Sequence, residues 1–293
     1  MYPDFLLIGA QKAGSSWLAT RLRRHSEVLM TPIKEIHYFD RKLTRSMFMT
    51  DFFGPKRNSL FQRIKSMAGN LRREPIHGLM WPVRYFFQKH SDQWYSSLFV
   101  EGESRLQGDC TPAYSTLNRE TVRHIAELMP SAKVMFIMRN PVDRSWSHAK
   151  MDLGNWAKRP LDTIPDEEYI AHAQTPESLL RSDYLRTLDV WGEAFPPERF
   201  KCMFFEDLKD TPDSFLADVC VFLGIGPSRK ESRKELGQAV NVGMKYDMPT
   251  AVRRHLCLQY HDMIRELSKR FGGHATTWLE GVELFLSSSE GNG

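Results

Sequence analysis

The chain has 293 residues, of which 41% are hydrophobic and 26% are charged, and its formal net charge is +4. This length allows one large domain or two small ones, with enough residues for a sizeable core. The sequence contains no run of about 20 apolar residues, the length that a membrane-spanning helix needs. Its apolar start, Phe5 to Ile8, is too short for a signal peptide and lacks a basic flank. We therefore expect a cytoplasmic globular protein of ordinary, enzyme-like composition.

The chain contains four cysteines, Cys110, Cys202, Cys220 and Cys257, which lie far apart and form no CxxC pair. This spacing indicates reduced thiols rather than a disulfide framework or a zinc site. The sequence thus predicts a protein without a bound metal.

Predicted strands and helices alternate along the first half of the chain. Phe5 to Gly9 is a short apolar run bounded by glycine, which predicts a buried strand, and Ser15 to Arg24 predicts a helix with one apolar side. Arg119 to Met129 carries apolar residues at helical spacing. Lys133 to Met138 is again an apolar strand, and Pro141 begins another helix.

The second half continues the alternation. The elements predicted there are, in order, a helix over Ser182 to Ala194, a strand over Phe200 to Phe205, a helix over Asp213 to Leu223 that ends at Gly224, and an amphipathic helix over Arg253 to Phe271. This pattern indicates an α/β protein with a P-loop-like, three-layer fold in which helices flank a central parallel sheet. We expect a single domain over residues 1–286 and a disordered tail over residues 287–293.

A basic, aromatic segment interrupts this alternation. Residues 41–97 carry eleven lysines and arginines against three acidic residues, a net charge of +8 that leaves about −4 for the rest of the chain. The segment shows no sustained periodicity, so we expect an irregular or helical insertion over residues 41–93 that acts as a lid on an acceptor site. Its charge indicates either an ordinary solvated face or a surface for an anionic substrate or lipid head group.

The turn after the first strand is similar to a phosphate-binding loop. Residues 9–16 read GAQKAGSS, whereas nucleoside triphosphatases have G-x-x-x-x-G-K-[ST]. Ser15 occupies the place of that lysine, and Lys12 lies three residues earlier. The backbone amides of such a loop favour an anion, and no predicted strand ends in the aspartate that would hold Mg²⁺. The pattern predicts a phosphate bound without a metal or, more simply, a strand–turn–helix without a ligand.

A second motif, RNPVDRSWS over residues 139–147, follows a predicted strand. Arg139 leaves the end of the strand, and Ser147 lies about two turns into the next helix. Because ligands bind outside the carboxyl ends of parallel strands, these two side chains could grip a second phosphate. Taken by itself, the motif is better explained by an Arg139 and an Arg144 that pair with surface acids.

Together the two motifs resemble the sulfotransferase family that uses 3′-phosphoadenosine 5′-phosphosulfate (PAPS). The other stretches that resemble its glycan (heparan-type) and bacterial branches are KEIHYFD at 34–40, WYSSLF at 94–99, GDCTPAYS at 108–115, residues 184–225 and VGMKYDMP at 242–249. The resemblance covers residues 4–40 and 94–250 and leaves the insertion without a named counterpart. It implies in-line transfer of a sulfuryl group from PAPS to a hydroxyl or amine acceptor, with a general base and without a metal.

The resemblance also implies a donor site. Its residues would be Lys12, Ala13, Gly14, Ser15, Ser16, Trp17, Arg139, Ser147, Gly243, Met244 and Lys245. Lys12 would stabilise the charge that grows on the leaving phosphate, while the loop amides and the serine hydroxyls hold the 5′-phosphate. Arg139 and Ser147 would hold the 3′-phosphate, and the segment at 243–245 would close over the nucleotide. Trp17 has a second interpretation as an ordinary core residue.

Two residues compete for the role of general base. Glu35 matches the catalytic glutamate of the glycan branch, and nearby positive charge would keep its carboxylate ionised. His37 is the rival, because histidine titrates near neutrality and the cytosolic small-molecule branch uses a histidine. The simpler interpretation of Glu35 is a salt bridge with Lys12 or Lys34. We interpret His148 as a packing or ligand-adjacent residue.

One departure from the family pattern affects the acceptor. The glycan branch has Glu-Lys before Thr-Pro-Ala-Tyr, where this chain has Asp109 and Cys110. The missing lysine leaves a small-molecule, a lipid-like and a saccharide acceptor all open. We expect Cys110 to be a buried small hydrophobe, with an exposed thiol as the alternative.

Two other functions compete with sulfuryl transfer. A P-loop nucleotide kinase or triphosphatase is disfavoured by Ser15 in the place of the lysine. A non-catalytic nucleotide binder that docks on a polyanion or membrane is disfavoured by the intact set of Lys12, Glu35, Arg139 and Ser147. We expect no nucleic-acid partner, because no recognised module is present, but we do expect peripheral membrane contact through residues 41–97.

Overall fold

The structure is a computed structural model that describes residues 1–40, 57–78, 80–227 and 245–290. Within these residues, five strands form one parallel sheet in the order β2-β3-β1-β4-β5. The strands are β1 Phe5–Gly9, β2 Val28–Met30, β3 Leu106–Cys110, β4 Lys133–Met138 and β5 Phe200–Phe204. Helices flank the sheet, as the alternating pattern predicts.

The central strands are apolar along nearly their whole length because both faces of the sheet are covered. The residues of β1 and most of those of β4 are inaccessible to solvent. A parallel sheet covered on both faces requires such continuous apolar runs. The predicted bounds of β1 and β4 are both confirmed.

The described helices have the following bounds. They are α1 Ser15–Arg24, α2 Arg57–Arg73, α3 Trp81–Phe87, α4 Asp92–Ser96, α5 Arg119–Leu128, α6 Pro141–Ala149, α7 Asp166–Ala173, α8 Pro176–Ser182, α9 Tyr184–Ala194, α10 Phe205–Asp210, α11 Pro212–Leu223, α12 Thr250–Phe271 and α13 Gly273–Glu290. Short 3-10 turns lie at Pro75–His77, Pro112–Thr116 and Leu161–Thr163, and Lys150–Trp156 is π-helical.

Several helix ends follow the sequence signals. The Asn140 side chain accepts from the Val142 amide, and Pro141 is the first residue of α6. The left-handed Gly224 ends α11, as predicted. The helix predicted from Ser182 differs, because Ser182 closes α8 and the Asp183 side chain caps α9.

The insertion is helical where the structure describes it. Three helices, α2 to α4, lie between residues 57 and 96, and residues 41–56 lie outside the described part. Met67 and Trp81 are buried, and the Trp81 indole donates to the Leu98 carbonyl at 2.9 Å. The Asn70 amide donates to the carbonyl of Pro32 at 2.8 Å. These contacts join the insertion to the sheet domain, while its role as a lid stays a prediction.

The chain end differs from the prediction of a disordered tail. Helix α13 continues through residue 290, and only residues 291–293 lie outside the description. The Ser287 and Ser288 hydroxyls donate to the carbonyls of Leu284 and Phe285, three residues earlier in each case. The prediction was wrong for residues 287–290, because these hydroxyls bond within the helix instead of interrupting it.

Candidate functional site

The loop after β1 forms a cradle of backbone amides at the carboxyl edge of the sheet. Helix α1 begins at Ser15 without an acidic residue in its first turn and without a side-chain cap. Its first amides, those of Ser15, Ser16 and Trp17, are therefore available to an anion. The Ala13 amide is used within the loop, since it donates to the Ala10 carbonyl at 3.2 Å.

Gly14 shows why this loop needs glycine. Its φ of +87° lies in the left-handed region, and a Cβ built there would lie 2.8 Å from Leu208 Cδ1. Any side chain at this position would therefore collide with α10. The cradle is pressed against the helix that follows β5.

Lys12 lies inside the cradle with its ammonium largely withdrawn from water. Burial lowers the pKa of Lys12, the positive charges of Arg139, Lys150 and Lys34 lower it further, and Asp152 acts in the opposite direction. A cation in such surroundings gains from the arrival of an anion. The residues therefore fit a phosphate or sulfate group, which the cradle amides and Lys12 would hold together.

Arg139 follows β4 and is tied to the same loop. Its Nη1 donates to the Lys12 carbonyl at 2.9 Å, and its guanidinium lies 4.8 Å from the centre of the Phe205 ring. The Tyr184 hydroxyl donates to the Arg139 carbonyl at 3.0 Å. Arg139 is therefore fixed next to the phosphate-binding loop, while its role in binding the 3′-phosphate stays a prediction.

The two other polar residues of this motif have different surroundings. Ser147 is partly exposed on α6. Arg144 is fully buried and donates from Nε to Ser182 Oγ at 3.1 Å, and burial lowers its pKa. Arg144 therefore anchors α6 to α8, and its partner in the described part of the chain is a buried serine instead of a surface acid.

Glu35 and His37 lie together in the loop after β2. Glu35 Oε1 lies 2.6 Å from Lys34 Nζ, and Oε2 lies 3.4 Å from His37 Nε2. His37 Nδ1 lies 2.7 Å from Asp40 Oδ2. Burial alone would raise the pKa of Glu35, but the charge of Lys34 and the hydrogen bond with His37 outweigh it and hold the pKa well below its usual range. Glu35 is therefore a carboxylate at neutral pH, and 40% of its side chain is exposed.

A buried polar network shapes this loop from the end of β3. The Glu35 amide donates to the Cys110 carbonyl at 3.0 Å, and the Ile36 amide donates to Thr111 Oγ1 at 3.0 Å. Thr111 Oγ1 in turn donates to Asp109 Oδ1 at 2.8 Å, and the Tyr95 hydroxyl donates to Oδ2 at 3.0 Å. Sequence reasoning treated Asp109 only as a departure from the family; the structure makes it a support of the base loop.

Burial raises the pKa of both residues, Asp109 and Cys110, at which this chain departs from the family pattern. Burial raises the pKa of Asp109 to about 6, although hydrogen bonds from Thr111, Tyr95 and Tyr114 oppose the rise. Cys110 is buried as expected, and burial raises its pKa to about 12. Neither side chain is exposed to solvent. All four cysteines are free thiols, as predicted.

Some predicted donor residues lie elsewhere or outside the description. Trp17 is 5% exposed and contacts Phe215 edge-on, which favours its core interpretation. Gly243 and Met244 lie outside the described residues. Lys245 is exposed, and the next residue, Tyr246, accepts a hydrogen bond from Lys150 Nζ through its carbonyl at 3.2 Å.

The described residues also include a cavity of about 420 Å³ away from these side chains. It lies between α3, α4 and the first residue of the chain, and Ile76, Trp81, Arg84 and Phe99 are among its lining residues. None of the predicted site residues borders it. The candidate site residues instead follow the carboxyl ends of β1, β2 and β4, at the edge where parallel sheets bind their ligands.

Comparison with known proteins identifies this arrangement. A family model described as "Sulfotransferase family" matches residues 3–228. The chain belongs to the sulfotransferase family. A solved sulfotransferase from Alicyclobacillus acidocaldarius has the same fold, with a TM-score of 0.62 at 21% identity, over 95% of this chain and 99% of that one. The family resemblance and the P-loop-like α/β fold that the sequence predicted are both confirmed.

Curated relatives of this sulfotransferase-family chain are distant and longer. It is 26% identical over 194 residues to the membrane-associated sulfotransferase kil1 of Dictyostelium discoideum, covering 66% of this chain and 32% of that protein. It is 24% identical over 227 residues to human heparan sulfate glucosamine 3-O-sulfotransferase 6, covering 76% of this chain and 53% of the relative. The chain thus spans about a third to a half of these relatives. Among the described helices, none has the length and apolar character that crossing a bilayer requires.

Proposed function

We propose that this chain transfers a sulfuryl group from PAPS to a hydroxyl or amine acceptor. The observation that carries the proposal is that two groups occur at the same edge of the sheet. One is the buried ammonium of Lys12, in a loop whose amides are free of acidic side chains, and the other is the ionised carboxylate of Glu35. Lys34 links the two, because it pairs with Glu35 at 2.6 Å and its charge also acts on Lys12. Family membership supports this proposal over a P-loop kinase or a non-catalytic binder.

The donor side follows from the cradle. The amides at the start of α1 and the Lys12 ammonium bind the 5′ end, and Arg139 and Ser147 bind the 3′-phosphate. PAPS would supply the sulfuryl group and depart as 3′-phosphoadenosine 5′-phosphate (PAP). Lys12 then neutralises the charge that grows on the departing phosphate, which is worth most where water is excluded.

On the acceptor side, Glu35 receives the proton of the attacking group. Its carboxylate is partly exposed and already ionised, so it is ready to accept a proton as the acceptor oxygen becomes acidic during transfer. His37 Nε2 lies 3.4 Å from this carboxylate, and Asp40 holds the His37 ring from its other side through Nδ1. His37 remains the alternative base, because it lies in the same loop as Glu35 and histidine titrates near neutrality.

The donor assignment is tested by calorimetric titration of the protein with PAP and with ATP, each with Mg²⁺ and with EDTA. We expect tight binding of PAP that does not depend on Mg²⁺, and weak binding of ATP. Binding of ATP only in the presence of Mg²⁺ would contradict the proposal and favour a kinase-type cradle.

The acceptor is proposed only as a class. We infer a hydroxyl of a small molecule, a lipid-like compound or a saccharide. The name of the heparan-type relative supports a saccharide. The other two classes stay open, because this chain has the buried residues Asp109 and Cys110 where the glycan branch has Glu-Lys. The lid role of the insertion and the cytoplasmic location stay predictions. Transfer of ³⁵S-labelled sulfate from PAPS to pooled acceptors of each class, separated by chromatography, would distinguish the three.

We also propose that the insertion contacts an anionic membrane surface. Met80, which caps the start of α3, and Val83 and Phe87 on α3 follow one another at helical spacing and are 58%, 40% and 60% exposed. Lys89 follows this stripe, within the segment whose net charge is +8. An apolar stripe beside basic residues is the pattern of an interfacial helix that lies on anionic lipid.

Vesicle sedimentation tests this contact. We expect the protein to bind phosphatidylserine-containing vesicles, to bind neutral vesicles less, and to lose most of its binding in the variant Val83→Ser/Phe87→Ser. The matched control is Leu284→Ser, which removes a side chain that is 73% exposed on α13 and should leave binding unchanged. Equal losses in both variants would refute a specific role of α3.

A further inference from the structure

A cluster of two histidines and one aspartate lies beside the donor cradle and has no role in the proposed transfer. His148 is on α6, Asp152 is in the π-helical segment that continues it, and His172 is near the end of α7. His148 Nε2 lies 3.2 Å from Asp152 Oδ2, and His172 Nε2 lies 2.9 Å from the same oxygen. The three ligand atoms all lie within 4.8 Å of one another.

The backbone at this place is unusual in a way that builds the cluster. Helix α6 runs into a seven-residue π-helical segment, Lys150–Trp156, in which the wider turn changes the direction of each side chain. Asp152 Oδ2 contacts His148, which is 2% exposed, and His172 on α7. π-helical turns are rare and frequently lie at functional sites.

The ligand atoms lie close to the spacing found around a coordinated metal ion. Zinc bonds of 2.0–2.1 Å in tetrahedral geometry separate two ligand atoms by about 3.3 Å. The 3.2 Å between His148 Nε2 and Asp152 Oδ2 is close to this spacing, and the 2.9 Å between His172 Nε2 and the same oxygen is a hydrogen bond that a bound ion would replace. Two imidazoles and one carboxylate are also the donor set of open zinc sites, which keep a fourth position for water or substrate.

Hydrogen bonding within the protein accounts for only part of the cluster. The second carboxylate oxygen, Asp152 Oδ1, is buried and has no hydrogen-bond partner in the part of the chain that the structure describes, and the same holds for Nδ1 of His148 and of His172. Besides the shared carboxylate, the two rings contact each other edge-on, with centroids 4.9 Å apart. A metal ion bound by both rings would explain why they converge, and bidentate coordination would use Oδ1.

We propose that His148, Asp152 and His172 form a binding site for a divalent transition metal of the zinc type. The site is distinct from the phosphate-binding loop but acts on it, because the negative charge of Asp152 already opposes the lowering of the Lys12 pKa.

The test is a titration of the tag-free, EDTA-dialysed protein with Co²⁺, followed by its visible absorption, and then displacement by Zn²⁺. We expect one equivalent of Co²⁺ with the intense absorption of a four-coordinate site. His172→Ala and Asp152→Asn should each weaken binding at least about tenfold. The matched control, His124→Ala, removes a histidine that pairs with Asp92 at 3.1 Å without a second imidazole, and should bind as the wild type does.

Two results would overturn the proposal: a wild-type protein that shows no four-coordinate Co²⁺ spectrum, or variants that bind as tightly as the control. Circular dichroism and PAP titration of each variant report folding independently of the metal. A second measurement needs no variant, because Co²⁺ at this site must broaden the NMR signals of the His148 and His172 rings before those of other histidines. Broadening of all exposed histidines alike would equally refute a specific site.

Discussion

Glu35 and His37 both occupy left-handed backbone conformations, with φ of 65° and 59°. Such conformations cost about 1–3 kcal/mol each in residues other than glycine, and they persist only where the surroundings enforce them. Here the Cys110 carbonyl and the Thr111 hydroxyl enforce them through the backbone amides of the loop. The loop is thus held in a shape that brings the carboxylate and the imidazole together.

The first prediction concerns the identity of the base. Glu35→Gln removes the proton acceptor while keeping the shape of the side chain, so turnover should fall by ~10²–10⁴ with PAP affinity unchanged. The measurement is steady-state transfer with the best acceptor found, alongside PAP calorimetry. His37→Asn is the comparison: if it abolishes turnover while Glu35→Gln does not, the base is His37.

A second prediction separates the two roles of Arg139. Arg139→Ala should weaken PAP by about 10–100-fold, the cost of one charge-assisted hydrogen bond, and should weaken adenosine 5′-phosphosulfate, which lacks the 3′-phosphate, much less. Arg139→Lys serves as a control that keeps the charge but loses the planar group that reaches the Lys12 carbonyl. Equal weakening of both nucleotides would make Arg139 a purely structural brace.

At the scale of elements, strand β3 contains a buried carboxyl group, Asp109, that makes the stability of the protein depend on pH. Asp109 is fully buried, and its pKa is raised from 3.8 to about 6. Because the folded pKa is the higher one, the stabilising contribution of the protonated group is complete below the unfolded pKa and is lost as the pH rises through 6. At neutral pH Asp109 is therefore a buried carboxylate, and holding this charge within the network of Thr111 and Tyr95 lowers the stability of the folded state.

The third prediction follows from this sign. Between pH 5 and pH 7.5, the free energy of unfolding of the wild type should fall by about 1 kcal/mol relative to that of Asp109→Asn. Urea denaturation of both proteins across this range measures the difference. A constant gap, or one that widens in favour of the wild type, would show that Asp109 titrates normally.

The sequence predicted those elements whose signals are local. β1 and β4 are apolar over their whole length, and α1 and α11 have clear glycine boundaries, so their positions could be predicted within a residue or so. β2 is only three residues long, and β3 contains Gln107, Gly108 and Asp109, which suit a strand only because neighbouring strands and Tyr95 satisfy and bury them. These partners are distant in the chain, so no local sequence pattern predicts them.

The candidate site divides in the same way. The phosphate-binding loop and the motif at Arg139 are contiguous stretches, and their side chains could be named from the sequence. The support of the Glu35 loop by Thr111, and the meeting of His148 with His172, join residues many positions apart. The bend that turns Asp152 toward both histidines arises in a π-helical segment that has no periodic signature in the sequence.

At the scale of the whole molecule, the donor and acceptor sides come from different parts of the chain. The donor residues follow β1 and β4, whereas the basic insertion enters between β2 and β3 and reaches the base loop through Asn70 and Pro32. Changes in the insertion should therefore alter which acceptor is used before they alter nucleotide binding.

Two features of Lys12 lower the stability of the folded state. Its φ of 71° belongs to the region that glycine favours, and its ammonium is buried among other positive charges. We expect Lys12→Gly to raise the free energy of unfolding by about 1 kcal/mol and to abolish transfer, measured by urea denaturation and by the transfer assay. Unchanged or lower stability would contradict this expectation.

The consequence is a conflict between durability and activity at one position of the loop. A redesign guided by melting temperature alone would choose glycine at residue 12, and so would a screen for improved expression. Both procedures would select a protein that is more stable to unfolding but has lost its transfer activity. Heat-based selection on this chain therefore needs an activity filter at the loop after β1.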